Sequence, residues 1–323
     1  MIGAHIGLVA RRIQGSVGPG GCDSSHWQDV LLRFGTSSQH LRDAVAGLTR
    51  RLANSLIDWH LIQALLANRL IALDKSPGVR PIGIGETLWR IIGKSVCLLT
   101  REDAELVCGA SQLCAGLKCG VEGAIHAAVD LFDSNDHGVL VIDASNAFNS
   151  INRLSLLWNV RVLWPRASRF IFNTYRGWSS LIIKGCNRTL YSQEGVIQGD
   201  PLSMFIYAIA TVPLIREVEN KPCWTQLWYA DDSSAIGEIT NLHSWLVKLL
   251  EIGPRYGYFP EPNKSSLIVK ESMLSYARSC FHDLGVNVVT NCRFLGGVIG
   301  DTPGKHSFVS RKVGEWSHYI AVL

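Results

Sequence analysis

The 323 residues, 35.6 kDa in mass, suffice to bury a substantial core in one large domain or in two or three subdomains. The chain is 47% hydrophobic and 18% charged and holds no run of eighteen apolar residues, which excludes wholesale disorder and a helical membrane span. Its net charge of +4 is uneven: +5 over residues 1–100, −4 over 101–263 and +3 over 264–323, a pattern that suits metal-dependent chemistry on a polyanion unless it is chance unevenness.

In chain order, residues 1–38 are rich in Gly and Ser and read as a mobile arm or a poorly packed edge. The start, Met1 to Arg12, has no basic stretch ahead of its apolar residues and does not read as an export signal. From Gln39 to about Leu70, apolar residues recur at helical spacing (Val45, Leu48, Leu52, then Trp59, Ile62, Leu66), which predicts one or two helices. A turn plus strand follows, carrying Lys75 and Arg80. Gly83-Ile84-Gly85 lacks the third glycine and the strand-to-helix setting of a dinucleotide loop. Helices are predicted from Thr87 to Leu99 or beyond and from Gly120 to Phe132, with a turn over 133–138. Val139-Leu140-Val141-Ile142 is a continuous apolar run, the mark of a buried central strand, and it delivers Asp143 at its end. Helical patterns around 153–176, a hairpin at 180–192 and a helix from Leu202 to Glu219 with a kink at Pro213 come next. Two β-prone runs, Thr225–Trp228 and Ser233–Gly237, flank Tyr229-Ala230-Asp231-Asp232 and predict a hairpin with both carboxylates at its tip. Helices over about 241–256 and 272–284, a strand at about 266–269 and a strand pair around Phe294–Ile299 complete the body.

Nine cysteines without Cys-x-x-Cys spacing read as free thiols in a reducing, intracellular compartment, cytoplasm or nucleus. The adjacent carboxylates are more telling. Two such groups repel unless a cation lies between them, and hard oxygen ligands suit Mg²⁺; a solvated turn is the alternative. Asp143 is likewise a strand-end cap or a ligand. Should the two elements pair in one sheet, three carboxylates converge, and such a set can hold two Mg²⁺ about 3.5–4 Å apart for phosphoryl transfer.

Six stretches then resemble one family in its own order. Asp143-Ala144-Ser145-Asn146-Ala147-Phe148-Asn149 is similar to the first catalytic block of retroelement reverse transcriptases, Gln198-Gly199-Asp200-Pro201-Leu202-Ser203 to the second, and Tyr229-Ala230-Asp231-Asp232 to their YxDD box. Pro262-Asn263-Lys264-Ser265 looks like the next block, Arg293-Phe294-Leu295-Gly296 like the primer-grip block, and Lys75-Ser76-Pro77-Gly78-Val79-Arg80-Pro81-Ile82 like the fingers motif. The likeness is to the enzymes of eukaryotic retrotransposons and spans about residues 70–300.

The resemblance implies an α+β fold, a polymerase right hand with an antiparallel palm sheet packed on helices and a thumb largely missing. It implies an arm at 1–38, fingers and N-terminal palm helices at 39–138, palm at 139–300 with a fingers insertion at about 153–192, and the start of a thumb at 301–323. The implied activity is RNA-directed DNA polymerisation with two Mg²⁺ ions (Mn²⁺ as a substitute), dNTPs and a primed RNA or DNA template. Asp143, Asp231 and Asp232 would hold the metals. Lys75, Arg80, Ala144, Phe148, Gln198 and Gly199 would meet the nucleotide, with Phe148 rejecting a 2′-hydroxyl by overlap. Lys264 would protonate the leaving pyrophosphate, and Phe294, Leu295 and Gly296 would cradle the primer end. Two alternatives compete: a non-catalytic nucleic-acid-binding remnant of a retroelement, and a viral RNA-dependent RNA polymerase. Against the latter, Ala230 and Asn146 stand where such enzymes usually carry Gly and a second Asp.

Overall fold

The computed structural model describes residues 1–75, 78–115, 117–134, 136–220 and 222–322. Ser76 and Pro77 of the basic turn and Asn135 of the turn before the central strand lie outside the described residues. The first elements are α1 (Gly3–Ala10), α2 (Ser24–Leu32), α3 (Gly35–Asn54), α4 (Trp59–Ile62), β1 (Asn68–Asp74), β2 (Val79–Gly85), α5 (Thr87–Cys108) and α6 (Gly120–Ser134). Next come β3 (Gly138–Ile142), α7 (Ala147–Ser150), α8 (Arg153–Leu163), α9 (Pro165–Tyr175), β4 (Ser179–Ile182), β5 (Thr189–Ser192) and α10 (Ser203–Val218). The last are β6 (Trp224–Tyr229), β7 (Asp232–Gly237), α11 (Ile239–Tyr256), β8 (Ser266–Ile268), α12 (Leu274–Cys280), β9 (Asn287–Val289), β10 (Asn291–Phe294), β11 (Gly297–Gly300) and α13 (Thr302–Val322). The class is α+β, as the sequence implies.

Two compact units interleave along the chain. Unit 1 comprises Met1–Cys108 and Asn146–Thr211; unit 2 comprises Gly109–Ser145 and Val212–Leu323. Helix α6 packs on β3, β6, β7 and β11, so its apolar face (Ala124, Ala128, Phe132) places it in unit 2.

Unit 1 holds a four-stranded sheet in the order β2-β1-β4-β5. Strands β1 and β2 pair antiparallel from Asn68↔Gly85 to Asp74↔Val79, and β4 joins β1 in parallel. A buried arginine binds the far side of this sheet to the segment that follows. Arg153, 6% exposed, donates to the carbonyls of Ser192, Glu194 and Gly195 at 2.8, 2.7 and 3.0 Å. Burial pulls its guanidinium below the ordinary arginine value, and the carbonyl dipoles supply the solvation that water no longer gives.

Residues 1–38 are not a loose arm. They carry α1 and α2, and Ile6, Ala10 and Leu31 are fully buried. The Gly-rich stretch between the helices is pinned from a distance. Arg90 donates to Gln14 O at 3.0 Å and Ser16 O at 2.7 Å, Arg69 to Val17 O at 3.0 Å, and Thr87 to Cys22 O at 2.8 Å. Composition marks such a stretch as flexible, but its partners lie fifty or more residues away, where no local pattern reports them.

Unit 2 is built on a five-stranded sheet in the order β6-β7-β3-β8-β9. Strand β3 is central, antiparallel to β7 (Gly138↔Gly237 to Ile142↔Ser233) and to β8. Its apolar run is buried on both faces, which explains why it reads as continuous rather than alternating. One side of the core joins Val139, Ile236 and Ile268 to α6 and to Phe294 and Ile299 of the β10–β11 hairpin. Among the described residues no helix is long and apolar enough to cross a membrane.

Candidate active site

The carboxylates come together at one end of the unit 2 sheet. Strand β3 ends at Ile142, opposite Ser233 of β7. Asp143 directly follows Ile142 and Asp232 directly precedes Ser233, so the two flank the last pair of this register. Strand β6 turns into β7 through Ala230-Asp231, with Tyr229 paired to Asp232. The hairpin tip is therefore Ala230-Asp231, and Asp232 is the first residue of β7 rather than part of the tip. Asp143 and Asp232 are exposed, and Asp231 is half-buried.

Several contacts hold this end of the sheet. Asp143 N–H donates to Ser265 Oγ at 3.2 Å, and Asp143 O accepts Glu261 N–H at 2.8 Å. Ser145 N–H donates to Phe259 O at 2.9 Å, and Ala144 forms a bridge with Pro260. Beneath the aspartates lies Tyr258, fully buried, whose hydroxyl donates to Asp231 O at 3.0 Å and meets Ser233 Oγ at 2.8 Å. Burial raises the Tyr258 pKa far above the ordinary phenol range. The Ser233 bond opposes this, and the charges of Asp231, Asp232 and Asp143 push it further up. The three carboxylates thus all lie within electrostatic reach of one hydroxyl.

These residues fit a hard divalent cation in donor chemistry: all are carboxylate oxygens at adjacent strand ends. They do not make a closed cage. Among the described residues no group of three His, Cys, Asp or Glu side chains is arranged to hold a metal ion. Mg²⁺ sites of nucleotide chemistry commonly take one or two carboxylates and complete their shell with substrate phosphates and water, and this arrangement matches that kind of site.

Lys264 sits in a single turn of 3₁₀ helix (Pro262–Lys264) and is ion-paired with Glu261. The Glu261 bond raises its pKa first, with the charge of Asp143 adding to the rise. Phe294 is 3% exposed and belongs to the unit 2 core, so of the expected primer-grip residues only Leu295 and Gly296 form the turn surface. Both have positive φ (46° and 89°), as a two-residue hairpin turn of the I′ type requires.

The expected nucleotide-contacting residues other than Ala144 belong to unit 1. Lys75 and Arg80 are exposed on the β1–β2 hairpin, with Lys75 N–H bonded to Gly78 O at 3.0 Å. Phe148 is half-buried and stacks on Tyr207 of α10, ring centroids 4.3 Å apart and planes 17° apart. Gln198 O accepts Gly83 N–H at 2.8 Å, and Gly199 has φ +111°. A β-carbon on Gly199 would collide with the Gly83 carbonyl, and one on Gly83 with Ile197. Gly199 therefore serves this backbone-to-backbone approach, and Gly83 makes room for the Ile197 side chain. Sequence reading examined Gly83 only as part of a dinucleotide loop and missed this use. Asp200 accepts from Leu202 N–H at 2.8 Å and Trp89 Nε1–H at 3.0 Å, tying the turn to α5. Burial raises its pKa despite both bonds. Asn146, Asn149, Gly83, Ile197 and Gln198 line part of a cleft of about 510 Å³ in this unit.

Two of the solved structures to which this chain is similar are telomerases. That of Candida albicans, in complex with a TWJ fragment of telomeric RNA, aligns at a TM-score of 0.55 and 12% identity, over 83% of this chain and 50% of its own. The apo enzyme of Candida tropicalis, truncated from its C-terminal domain, aligns at 0.49 and 13%, over 64% and 51%. The chain thus spans about half the length of these neighbours, and none of the curated proteins matches it. Residues 73–299, from the basic hairpin through the carboxylate sheet to the β10–β11 hairpin, match one family over more than half of the chain, and the chain belongs to it: the reverse transcriptase (RNA-dependent DNA polymerase) family.

Proposed function

We propose that the chain is the polymerase domain of a retroelement and extends a primer with dNTPs on an RNA template. The observation that carries this reading is the set Asp143, Asp231 and Asp232 at adjacent strand ends, within a stretch that matches the family. The retroelement source rests on the likeness of the six motif blocks. Nine free cysteines suit an intracellular setting.

Divalent cations, when bound, would supply the charge neutralisation that lets a primer 3′-hydroxyl attack a triphosphate and pyrophosphate depart. The chain's own residues do the rest. Asp143 and Asp231 would be the main ligands, with Asp232 beside them. Lys75 and Arg80 would neutralise the triphosphate, Arg80 through its planar fork and Lys75 as a point charge. Phe148, braced by Tyr207, would press on the sugar. Gln198 and Gly199 would approach the nucleotide or template, held in place by Gly83. Lys264 could protonate the leaving pyrophosphate only after parting from Glu261.

Lys75→Ala and Arg80→Ala should each raise the KM for dNTP by about tenfold or more while leaving template–primer affinity within twofold. A charge-assisted contact contributes roughly 1.5–3 kcal/mol, and about 1.4 kcal/mol is tenfold. Steady-state kinetics and gel shifts on each variant measure both quantities. Loss of template affinity at an unchanged KM would make the two residues backbone binders instead.

The function itself is tested by primer extension on poly(rA)/oligo(dT) with dTTP and Mg²⁺. Mg²⁺-dependent extension is expected. Tight template–primer binding with no extension would leave only a nucleic-acid-binding remnant.

A further inference from the structure

We propose that Gln112 is a positioning residue for the catalytic turn, a clamp that fixes the direction of the Asp231 side chain through the backbone of Ala230. No motif includes it. It lies in the irregular stretch between α5 and α6 and is fully buried.

Its side-chain amide takes up both backbone groups of one distant residue. Ala230 N–H donates to Gln112 Oε1 at 2.8 Å, and Gln112 Nε2 donates to Ala230 O at 3.1 Å. The next residue extends the match: Leu113 N–H donates to Trp228 O at 2.8 Å. Strand β6 is an edge of its sheet, so residues 112–113 complete that edge beside the turn.

The turn needs such a hold. Ala230 has φ +54°, a conformation that alanine rarely keeps unaided. Two peptide planes meet at the Asp231 α-carbon. The first carries the Ala230 carbonyl, held by Gln112; the second carries the Asp231 carbonyl, held by the Tyr258 hydroxyl at 3.0 Å. With both planes fixed, the direction of the Asp231 Cα–Cβ bond is fixed before any cation or nucleotide arrives. Preorganised ligands lose no free energy to reorganisation during reaction.

The consequence for catalysis rests on the polymerase reading, but the clamp can be tested apart from it. Gln112→Met keeps the side-chain length and removes both hydrogen bonds. In metal-free protein, amide hydrogen exchange at Ala230 should be at least tenfold faster in this variant than in wild type. In extension assays its kcat should fall at least tenfold, with template–primer Kd and dTTP KM within twofold of wild type. Gln112→Glu adds a readout that a purely structural role would not move, and it serves if the Met variant does not fold. Its carboxyl, raised in pKa by burial, mimics the amide when protonated, donating to Ala230 O and accepting from Ala230 N–H. Once ionised it loses the donor. The activity of the Glu variant relative to wild type should therefore rise as pH falls from about 9 towards 6. Unchanged exchange at Ala230 would refute the clamp. Faster exchange with wild-type kcat, or a flat relative pH profile for the Glu variant, would refute its role in positioning. A wild type that cannot extend primers would sink the polymerase reading and the catalytic consequence with it, while exchange would still judge the clamp.

Discussion

Asp231→Asn is expected to lower dNTP incorporation by about 10³-fold while template–primer binding stays within twofold, since losing one group that stabilises developing charge commonly costs about 2.7–4 kcal/mol. The turn should survive the change. It is held by backbone partners, with Gln112 on Ala230 and Tyr258 on the Asp231 carbonyl, and none of these bonds uses the Asp231 carboxylate. Asn keeps the volume and loses the charge. What disappears is attraction for a cation, and with it the neutralisation that a bound cation would give to the negative charge building up during phosphoryl transfer. Contacts to a nucleic-acid backbone depend on basic residues elsewhere. Single-turnover extension and gel shifts on the same preparation separate the two effects. Near-normal extension by the Asn variant would sink the metal-ligand role of Asp231.

Phe148→Val should admit ribonucleotides, raising the kcat/KM for UTP relative to dTTP by one to two orders of magnitude. The aromatic ring is held against Tyr207, a fully buried side chain of α10, at a centroid distance of 4.3 Å. A ring braced in this way cannot yield to an added hydroxyl, and a steric clash of that kind can exceed the ~1–3 kcal/mol that one methylene is worth in a pocket. Valine leaves room for the hydroxyl. The variant also loses the ring stack, worth roughly 0.5–1.5 kcal/mol beyond buried area, so a modest fall in Tm should accompany the change in selectivity. Wild-type acceptance of UTP equal to dTTP would indicate an RNA polymerase. An unchanged ratio in the Val variant, with wild-type preference for dTTP, would return Phe148 to a packing role.

Much of unit 2 could be read from local sequence because its elements carry their own signals. The run Val139–Ile142 is apolar without a break, and it is the central strand. The β-prone runs around Tyr229–Asp232 are the hairpin β6–β7, though its turn falls one residue earlier than an Asp-Asp tip would require. Spacing alone cannot locate a turn that depends on alanine holding φ +54°, because the hold comes from Gln112, 118 positions away. The N-terminal stretch departs from its compositional reading for the same kind of reason: its glycines look loose in sequence, but Arg69, Thr87 and Arg90 take up its carbonyls. Phe294 matched a motif, yet its ring belongs to the core, since a four-residue strand packed on α6 must bury one face. Strand β9 and helix α13 had no signal strong enough to predict. At the site, the carboxylates were legible because chemistry demands their type and spacing. Tyr258, Gln112 and Gly83 were not, because each acts through backbone groups that any residue type presents.

The central claim is that the carboxylates at the ends of β3 and β7 carry out RNA-directed DNA synthesis. Its most direct test is extension of a primer on a heteropolymeric RNA template with four dNTPs and Mg²⁺, the product being sequenced, for wild type and Asp143→Asn side by side. The account predicts DNA complementary to the RNA from wild type and a yield lower by about 10³-fold from the variant. No product from wild type, or comparable product from both proteins, would contradict it.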